Sequence, residues 1–143
     1  MKFVLFLTVV LKITLADDMS SLDDTTQMFN KSLESCLKKN PNVSKETIMT
    51  ALTTVFKEPI TPEVKCILHC IGKDMGEMND DGVIIVEKSL QNVPANMNKD
   101  VVKTIEEECI TLMGTDKCDT AFLQFKCISE KAIHKKDDLV KKS

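Results

Sequence analysis

The chain has 143 residues, a length that suits a single domain, and 43% of them are hydrophobic, which is enough to build a core. Scarce glycine and proline, at four each, and 4% aromatic residues, all of them Phe, favour helices over a β-sandwich. The formal net charge of −3 argues against nucleic-acid binding, which needs a clustered basic surface.

Residues 1–16 have the pattern of a secretory signal peptide. Lys2 supplies the positive start, residues 3–11 form an apolar run, and Ala16 ends a small-residue cleavage site. A membrane anchor is the alternative, but nine apolar residues span only about 14 Å as a helix, against about 30 Å for a hydrocarbon core. Lys12 also interrupts the run, so we expect cleavage after Ala16 and secretion.

The remaining residues, 17–143, are predicted to form one helical domain with a charged tail at about 134–143. Because residues 1–16 hold two of the 19 basic residues and no acid, this part carries 17 basic and 22 acidic residues, a formal charge of −5. No later stretch is long and apolar enough to span a bilayer, so we expect no stable membrane insertion.

Two amphipathic helices are predicted before residue 60. The first covers about 25–39, carries an apolar stripe, and ends where Asn40 precedes a proline. The second starts after Ser44, a favourable N-cap, and stops before Pro59.

The third predicted helix has the clearest start, because Thr61 is a good N-cap and Pro62 suits the first helical position. Residues 79–82 then form a turn. A fourth helix is predicted over about 83–92. The β-branched run 83–86 could instead form a strand, but no partner strand is predicted for it.

The fifth predicted helix covers about 99–113 and is ended by Gly114. The sixth begins near Thr115. The tail, 134–143, is highly charged, so we expect it to be solvated or frayed.

Six cysteines follow the predicted cleavage site, and an even number in a secreted chain favours complete pairing. Cys66 and Cys70 project from one face of a helix, and Cys118 and Cys127 from opposite faces of another, so neither pair can be bridged. These exclusions reduce the fifteen possible pairings to ten, and the residues alone do not choose among them. The cysteines are Cys36, Cys66, Cys70, Cys109, Cys118 and Cys127.

The cysteine spacing resembles the signature of the insect odorant-binding proteins, which carry pheromones and general odorants. The resemblance rests on the three residues between Cys66 and Cys70, the eight between Cys118 and Cys127, and the long gaps on either side of the central pair. It implies an all-α domain of about six helices around an apolar cavity. It also implies three interlocked disulfides, namely Cys36–Cys70, Cys66–Cys118 and Cys109–Cys127.

By the same resemblance, the fourth, fifth and sixth helices and their neighbours should line a buried pocket for a small hydrophobic ligand. Aliphatic residues with flexible Met suit ligands of different shapes, although apolar stripes at helical spacing are by themselves typical of a solid core. The candidate lining residues are Met49, Leu52, Phe56, Val83, Val86, Leu90, Val102, Ile105, Leu112, Met113, Phe122, Phe125 and Ile128. An odorant receptor is the implied partner, and no cofactor is expected.

In certain members of that family an apolar C-terminal segment folds into the pocket. Here the tail 134–143 is too charged to bury comfortably. We therefore predict that no tail segment plugs the pocket, and that truncation after Lys135 leaves ligand affinity nearly unchanged.

Metal sites are poorly supported. Cys66, His69 and Cys70 resemble part of a zinc site, but six cysteines in a secreted chain favour disulfides, which makes His69 a surface or structural residue. Residues 77–82 resemble the start of a calcium loop, but its twelfth position is Lys88 instead of the required Glu. A turn is the better interpretation.

Catalysis is not expected, because the chain has two histidines and lacks the common nucleophile, metalloprotease and phosphate-loop motifs. Residues 106–108, three consecutive glutamates, are interpreted as a solvated helix face. Asn30 and Asn42 begin glycosylation triplets, but such triplets are common by chance and neither is claimed as a site.

Three functions are compatible with these observations. The leading hypothesis is a secreted carrier of odorants, pheromones or similar molecules through extracellular fluid. A carrier of the same fold that works outside olfaction is the second. The third is a secreted, disulfide-stabilised interaction protein with a solid core and no ligand.

Overall fold

The computed structural model describes residues 20–57, 59–91 and 93–140, with side chains from residue 27 onward. The predicted signal peptide, 1–16, and the last residues of the tail, 141–143, lie outside this part. The regular secondary structure of the described residues consists of α-helices and two isolated bridges, which confirms the all-α prediction. The helices are α1 (Ser20–Lys39), α2 (Lys45–Thr53), α3 (Pro62–Asp74), α4 (Val86–Leu90), α5 (Lys99–Cys109), α6 (Lys117–His134) and α7 (Lys136–Leu139).

Four helices, α2, α3, α5 and α6, begin where their first N–H groups find side-chain acceptors. Ser44 Oγ accepts from the backbone of Thr47 at 3.1 Å, and Thr61 Oγ1 accepts from that of Val64 at 3.3 Å. Asp116 caps α6 in the same way. Each cap satisfies a donor that the helix itself leaves free, so the predicted starts of α2 and α3 are confirmed.

The predicted fourth helix is much shorter than expected, because turn chemistry decides the conformation of its first residues. Asn79 Oδ1 accepts from the backbone of Asp81 and Val83, and Asn79 N donates to Val83 O at 2.9 Å. Ile84 then forms an isolated antiparallel bridge with Met78. The prediction of a helix from residue 83 is therefore wrong, and α4 starts only at Val86.

Gly82 makes this turn possible and holds it against α6. Its φ of +83° lies in the left-handed region, which glycine adopts without strain. A Cβ at this position would lie 2.1 Å from the Lys117 carbonyl oxygen. Any other residue would therefore push the 79–82 turn away from the start of α6.

The fifth helix ends four residues earlier than predicted, at Cys109 instead of Met113. The Gln124 amide, from α6, donates to the carbonyl oxygens of Ile110 at 3.3 Å and Leu112 at 3.0 Å. A side chain from a distant helix thus satisfies carbonyl groups beyond the helix end, so the chain can leave the helical path.

The tail is not solvated or frayed as far as the structure describes it. Leu139 is completely buried, and its carbonyl oxygen accepts from Asn98 N at 2.8 Å. Val140 forms an isolated bridge with Met97. Asp137 and Asp138 remain exposed, so α7 buries one apolar side chain while its charges stay in water. The prediction of a solvated tail is wrong for this segment. Truncation after Lys135 would remove Leu139 from the core, so the expectation of an unchanged ligand affinity loses its basis.

The core lies around the packing of α3 against α6. α1 packs on α3, α5 on α6, and α4 on α5, while α7 contacts both α5 and α6. No helix among the described residues is long and apolar enough to cross a membrane. Fully buried apolar side chains come from six of the seven helices: Leu33, Ile48, Ile67, Val102, Ile105, Ala121, Ile128, Ala132 and Leu139.

Three disulfides connect the packed helices. Cys36–Cys70 joins α1 to α3, Cys66–Cys118 joins α3 to α6, and Cys109–Cys127 joins α5 to α6. Their Cα atoms are 5.9, 4.6 and 5.7 Å apart, within the usual range. These are the three pairs that the cysteine spacing implies by resemblance.

Candidate functional site

Most of the predicted lining residues meet in the interior. Leu52, Phe56, Val102, Ile105, Phe122, Phe125 and Ile128 are buried in one contiguous apolar cluster. Met49 and Leu90 are half-buried and pack against that cluster, and Val83 and Val86 are also half-buried. The apolar cluster thus brings together side chains from α2, α4, α5 and α6.

Leu112 and Met113 do not join the apolar cluster. They follow the end of α5 and are 41% and 61% exposed. The expectation that they face a buried pocket depended on a longer fifth helix. The interaction of Gln124 with the carbonyl oxygens of Ile110 and Leu112 removes that basis.

An aromatic pair lies between α2 and α6. The rings of Phe56 and Phe122 meet edge to face, with centroids 5.6 Å apart and planes at 90°. Phe56 reaches this position through a left-handed turn after α2, in which Val55 and Phe56 have φ of 54° and 57°. Phe56 N donates to Ala51 O at 2.8 Å, which holds this unusual conformation.

A cation lies beside this aromatic pair. Lys65 Nζ is 4.8 Å from the centre of the Phe122 ring and 2.8 Å from Asp119 Oδ1. The hydrogen bond from Lys65 is the main reason that the pKa of Asp119 is lowered. Lys65 is 24% exposed, so this charge contacts the apolar cluster and also reaches solvent. Sequence reasoning missed this contact because Lys65 and Asp119 are far apart in the chain.

Glu106 is a buried acid that the sequence interpretation placed in water. Glu107 and Glu108 are exposed as predicted, but Glu106 is completely buried. Ser89 Oγ donates to Glu106 Oε1 at 2.5 Å, and no described residue makes a hydrogen bond with Glu106 Oε2. Helical spacing could have predicted this burial. Glu106 lies four residues after Val102 and three before Cys109, which places all three on the buried face of α5.

Burial raises the pKa of Glu106 from 4.5 to about 7, and the hydrogen bond from Ser89 acts in the opposite direction. The protonated form of Glu106 therefore predominates below about pH 7. The neutral carboxyl group is a hydrogen-bond donor as well as an acceptor. The buried interior thus contains an acid that is protonated below about pH 7.

His69 is a second buried titratable group, on α3. It is 8% exposed, and no described residue makes a hydrogen bond with its Nε2. Burial lowers its pKa below 6.5, so the ring is neutral at pH 7. Its neighbours Cys66 and Cys70 are committed to disulfides, and the described residues contain no group of acidic, His and Cys side chains that could hold a metal ion.

An open groove with a volume of about 350 Å³ lies between α5 and α7. Five of its six lining residues are polar or charged, and it is open to solvent, so it does not suit an apolar molecule. Its lining residues are Asn98, Asp100, Val101, Thr104, Lys135 and Asp138.

The buried acid makes stability depend on pH. Because the folded state binds the Glu106 proton more tightly than the unfolded chain, stability is lost as pH rises from about 4.5 to about 7. The free energy of unfolding of Glu106→Gln, relative to that of the wild type, should therefore increase by up to about 3 kcal/mol as the pH rises from about 4 to about 8. Urea unfolding at both pH values measures this. The exposed neighbour provides the control, since Glu107→Gln should leave the pH dependence unchanged; equal curves for both variants contradict the assignment.

The fold and the site together define a class: a small helical binding domain held together by three interlocked disulfides around an apolar interior. Residues 19–131 match the model of the PBP/GOBP family, and the chain belongs to this family.

Two curated odorant-binding proteins are similar in sequence to about half of this chain. General odorant-binding protein 69a of Drosophila melanogaster is 32% identical over 69 residues, which cover 48% of this chain and 46% of the relative. Odorant-binding protein 10 of Aedes aegypti is 33% identical over 64 residues, 45% of each chain. The chain thus spans about half the length of the curated relatives it matches.

Two solved structures share the fold over most of their length. The fatty acid binding protein OBP56a from the oral disk of the blowfly Phormia regina is 30% identical, with a TM-score of 0.61 over 80% of this chain and 93% of that one. Odorant-binding protein dmelOBP28a from Drosophila melanogaster has the same TM-score over 80% of this chain and 96% of its own. At 20% identity, the second likeness concerns the fold alone.

Proposed function

We propose that this protein is a secreted carrier that binds a small hydrophobic molecule in its apolar interior and transports it through extracellular fluid. The observation that carries the proposal is the apolar cluster, to which α2, α4, α5 and α6 contribute in a domain of the PBP/GOBP family. Odorants, pheromones and similar molecules are the proposed ligands. Residues 1–16 are the proposed signal for secretion.

The proposed pocket wall consists of the nine predicted residues in or against the apolar cluster, together with Val83 and Val86. Burying a ligand against such a wall contributes about 25 cal/mol per Å² of apolar surface. An unfilled cavity destabilises a protein core, because the side chains around it lose packing contacts. Disulfides between α1, α3, α5 and α6 offset that cost by restricting the unfolded chain.

The proposal includes no catalytic step. The buried titratable groups His69 and Glu106 lie on different helices, and no hydrogen bond between them is found in the described part of the chain. An odorant receptor is the proposed recipient of the ligand, by the same reasoning that assigns the carrier role.

A carrier that works outside olfaction is the second candidate. It is favoured by the structural likeness to a fatty acid binding protein from an oral disk, since this chain covers 93% of that structure at 30% identity. The two candidates share one mechanism and differ in the tissue that secretes the protein, so localisation of the transcript distinguishes them.

Binding of a fluorescent apolar probe, N-phenylnaphthylamine, tests the carrier proposal. Leu90→Ala should weaken probe binding about fivefold to tenfold, because it removes apolar contact from the proposed wall. Leu112→Ala is the matched control and should change the dissociation constant less than twofold, since Leu112 is 41% exposed. Displacement by long-chain alcohols, esters or aldehydes should follow the same pattern.

Failure of the oxidised, delipidated protein to bind any apolar probe would contradict the carrier proposal. The interior would then be a solid core, as the interaction-protein alternative requires. Equal effects of Leu90→Ala and Leu112→Ala would place the probe outside the proposed wall.

A further inference from the structure

The Ser89–Glu106 pair places a polar group on the buried side of the proposed pocket wall. Ser89 is on α4 and Glu106 is on α5, both are completely buried, and the two helices pack against each other. Helical spacing puts Val86 one turn from Ser89 and Val102 one turn from Glu106 on the same faces. The pair thus lies among residues that we propose to contact the ligand.

The hydrogen-bond pattern of this pair leaves one atom without a partner. Ser89 Oγ donates to Glu106 Oε1, so the proton of the neutral carboxyl group belongs on Oε2. No described residue makes a hydrogen bond with Oε2, although the atom is buried. A buried donor without an acceptor costs free energy, about as much as a lost hydrogen bond.

The charged side chains next to the pair along α4 and α5 are exposed at the surface. On α4, Glu87 and Lys88 are exposed, and on α5, Lys103 and Glu107 are exposed and lie 3.9 Å apart. Lys131, on α6, binds Glu108 Oε2 at 2.7 Å at the surface. No cation is therefore found beside Glu106 in the described part of the chain, and a buried carboxyl group without one favours its neutral form.

We propose, building on the carrier function, that Glu106 Oε2 donates a hydrogen bond to an oxygen of the bound molecule. Glu106 thereby selects apolar molecules that carry an accepting oxygen, such as ketones, aldehydes and esters, over hydrocarbons of similar shape. Ser89 is a positioning residue, because it fixes Oε1 as the acceptor and leaves Oε2 to the ligand. The apolar cluster supplies most of the affinity, and Glu106 supplies the discrimination.

Competition between methyl nonyl ketone and undecane for the probe site tests this proposal at about pH 6, below the pKa of Glu106. In the wild type the ratio of ketone affinity to undecane affinity should be about tenfold higher than in Glu106→Leu, which cannot donate a hydrogen bond. Glu106→Gln should largely keep the wild-type ratio, since its amide group donates. The exposed neighbour Glu107→Leu is the matched control and should also keep it.

The outcomes separate the two proposals. If neither compound displaces the probe from the wild type, the carrier function fails. If both bind and the ratio is the same in the wild type and Glu106→Leu, the carrier function stands and the role of Glu106 is overturned.

Infrared spectroscopy provides a second measurement that does not need Glu106→Leu to fold. The carbonyl band of the protonated Glu106 carboxyl group, identified as the band missing in Glu106→Gln, should shift when the wild type binds methyl nonyl ketone. Undecane should leave the band in place. The same band position with both compounds would overturn the proposal.

Discussion

Replacing Cys66 and Cys118 together by alanine is expected to lower the free energy of unfolding by about 4 kcal/mol. This disulfide joins residues 52 positions apart and connects α3 to α6, the two helices at the centre of the core. A cross-link stabilises mainly by restricting the unfolded chain, and the effect grows with the length of the closed loop. Urea unfolding of the double variant under oxidising conditions measures the loss.

The Cys109–Cys127 disulfide provides a matched comparison. Its partners are only 18 positions apart, so the same relation gives a smaller loss of about 3 kcal/mol for the corresponding double alanine variant. Both variants exchange two cysteines for two alanines, which keeps the side-chain change the same. A larger loss for the 18-residue loop would show that native packing, rather than loop length, decides the contribution of each bridge.

Leu139→Ala is expected to lower the free energy of unfolding by about 2–5 kcal/mol, a large effect for a residue so close to the C-terminus. The Leu139 side chain is completely buried, α7 packs on α5 and α6, and Asn98 N donates to the Leu139 carbonyl oxygen. Shortening the Leu139 side chain to that of alanine leaves a cavity, and the surrounding side chains fill it only in part. Thermal or urea unfolding would detect a change of this size.

The neighbouring residue controls for a general effect of altering the tail. Val140 is 38% exposed, and Val140→Ala should cost less than about 1 kcal/mol. Equal and small losses for both variants would mean that the tail is solvated in solution, as its charge first suggested. A large loss for Leu139→Ala alone would establish α7 as part of the domain.

The proposed apolar wall and the buried acid Glu106 would contribute differently to the selection of ligands by such a carrier. Apolar burial is non-directional and scales with area, so hydrocarbon length and shape alone give modest selectivity. A buried donor adds a larger difference, because a ligand that lacks an acceptor leaves the donor unpaired. Under the proposals made above, α2 and α6 serve mainly for affinity and the Ser89–Glu106 pair for chemical selectivity.

Local signals were sufficient to predict the starts of α2 and α3. Ser44, Thr61 and Pro62 determine the conformation within four residues of themselves, through caps and a fixed φ, so their effect can be read without knowing the fold. The apolar stripes also identified most of the buried cluster, because helical spacing alone brings such residues to one face. Only the family resemblance, however, chose one set of bridges among the ten that geometry left open.

The predictions that were wrong concern segments whose conformation depends on distant partners. The helix predicted from residue 83 gives way to a turn that fits against the Lys117 carbonyl oxygen, and the fifth helix ends where Gln124 reaches the Ile110 and Leu112 carbonyl oxygens. The charged tail contains one leucine, Leu139, which is buried where α7 packs on α5 and α6. Asn79 is a local signal for the first of these differences. Nothing within a few residues of positions 110, 112 and 139 indicates the partners found there.

The sequence by itself determined the helical class, most helix starts and the apolar faces, because these follow from interactions between residues that are neighbours in the chain. Only the tertiary structure decided that Glu106 is buried while Glu107 and Glu108 are not, that Lys65 lies over Phe122, and that Leu139 completes the core. The physical reason is that burial, and with it the pKa of an acid, depends on which elements pack together.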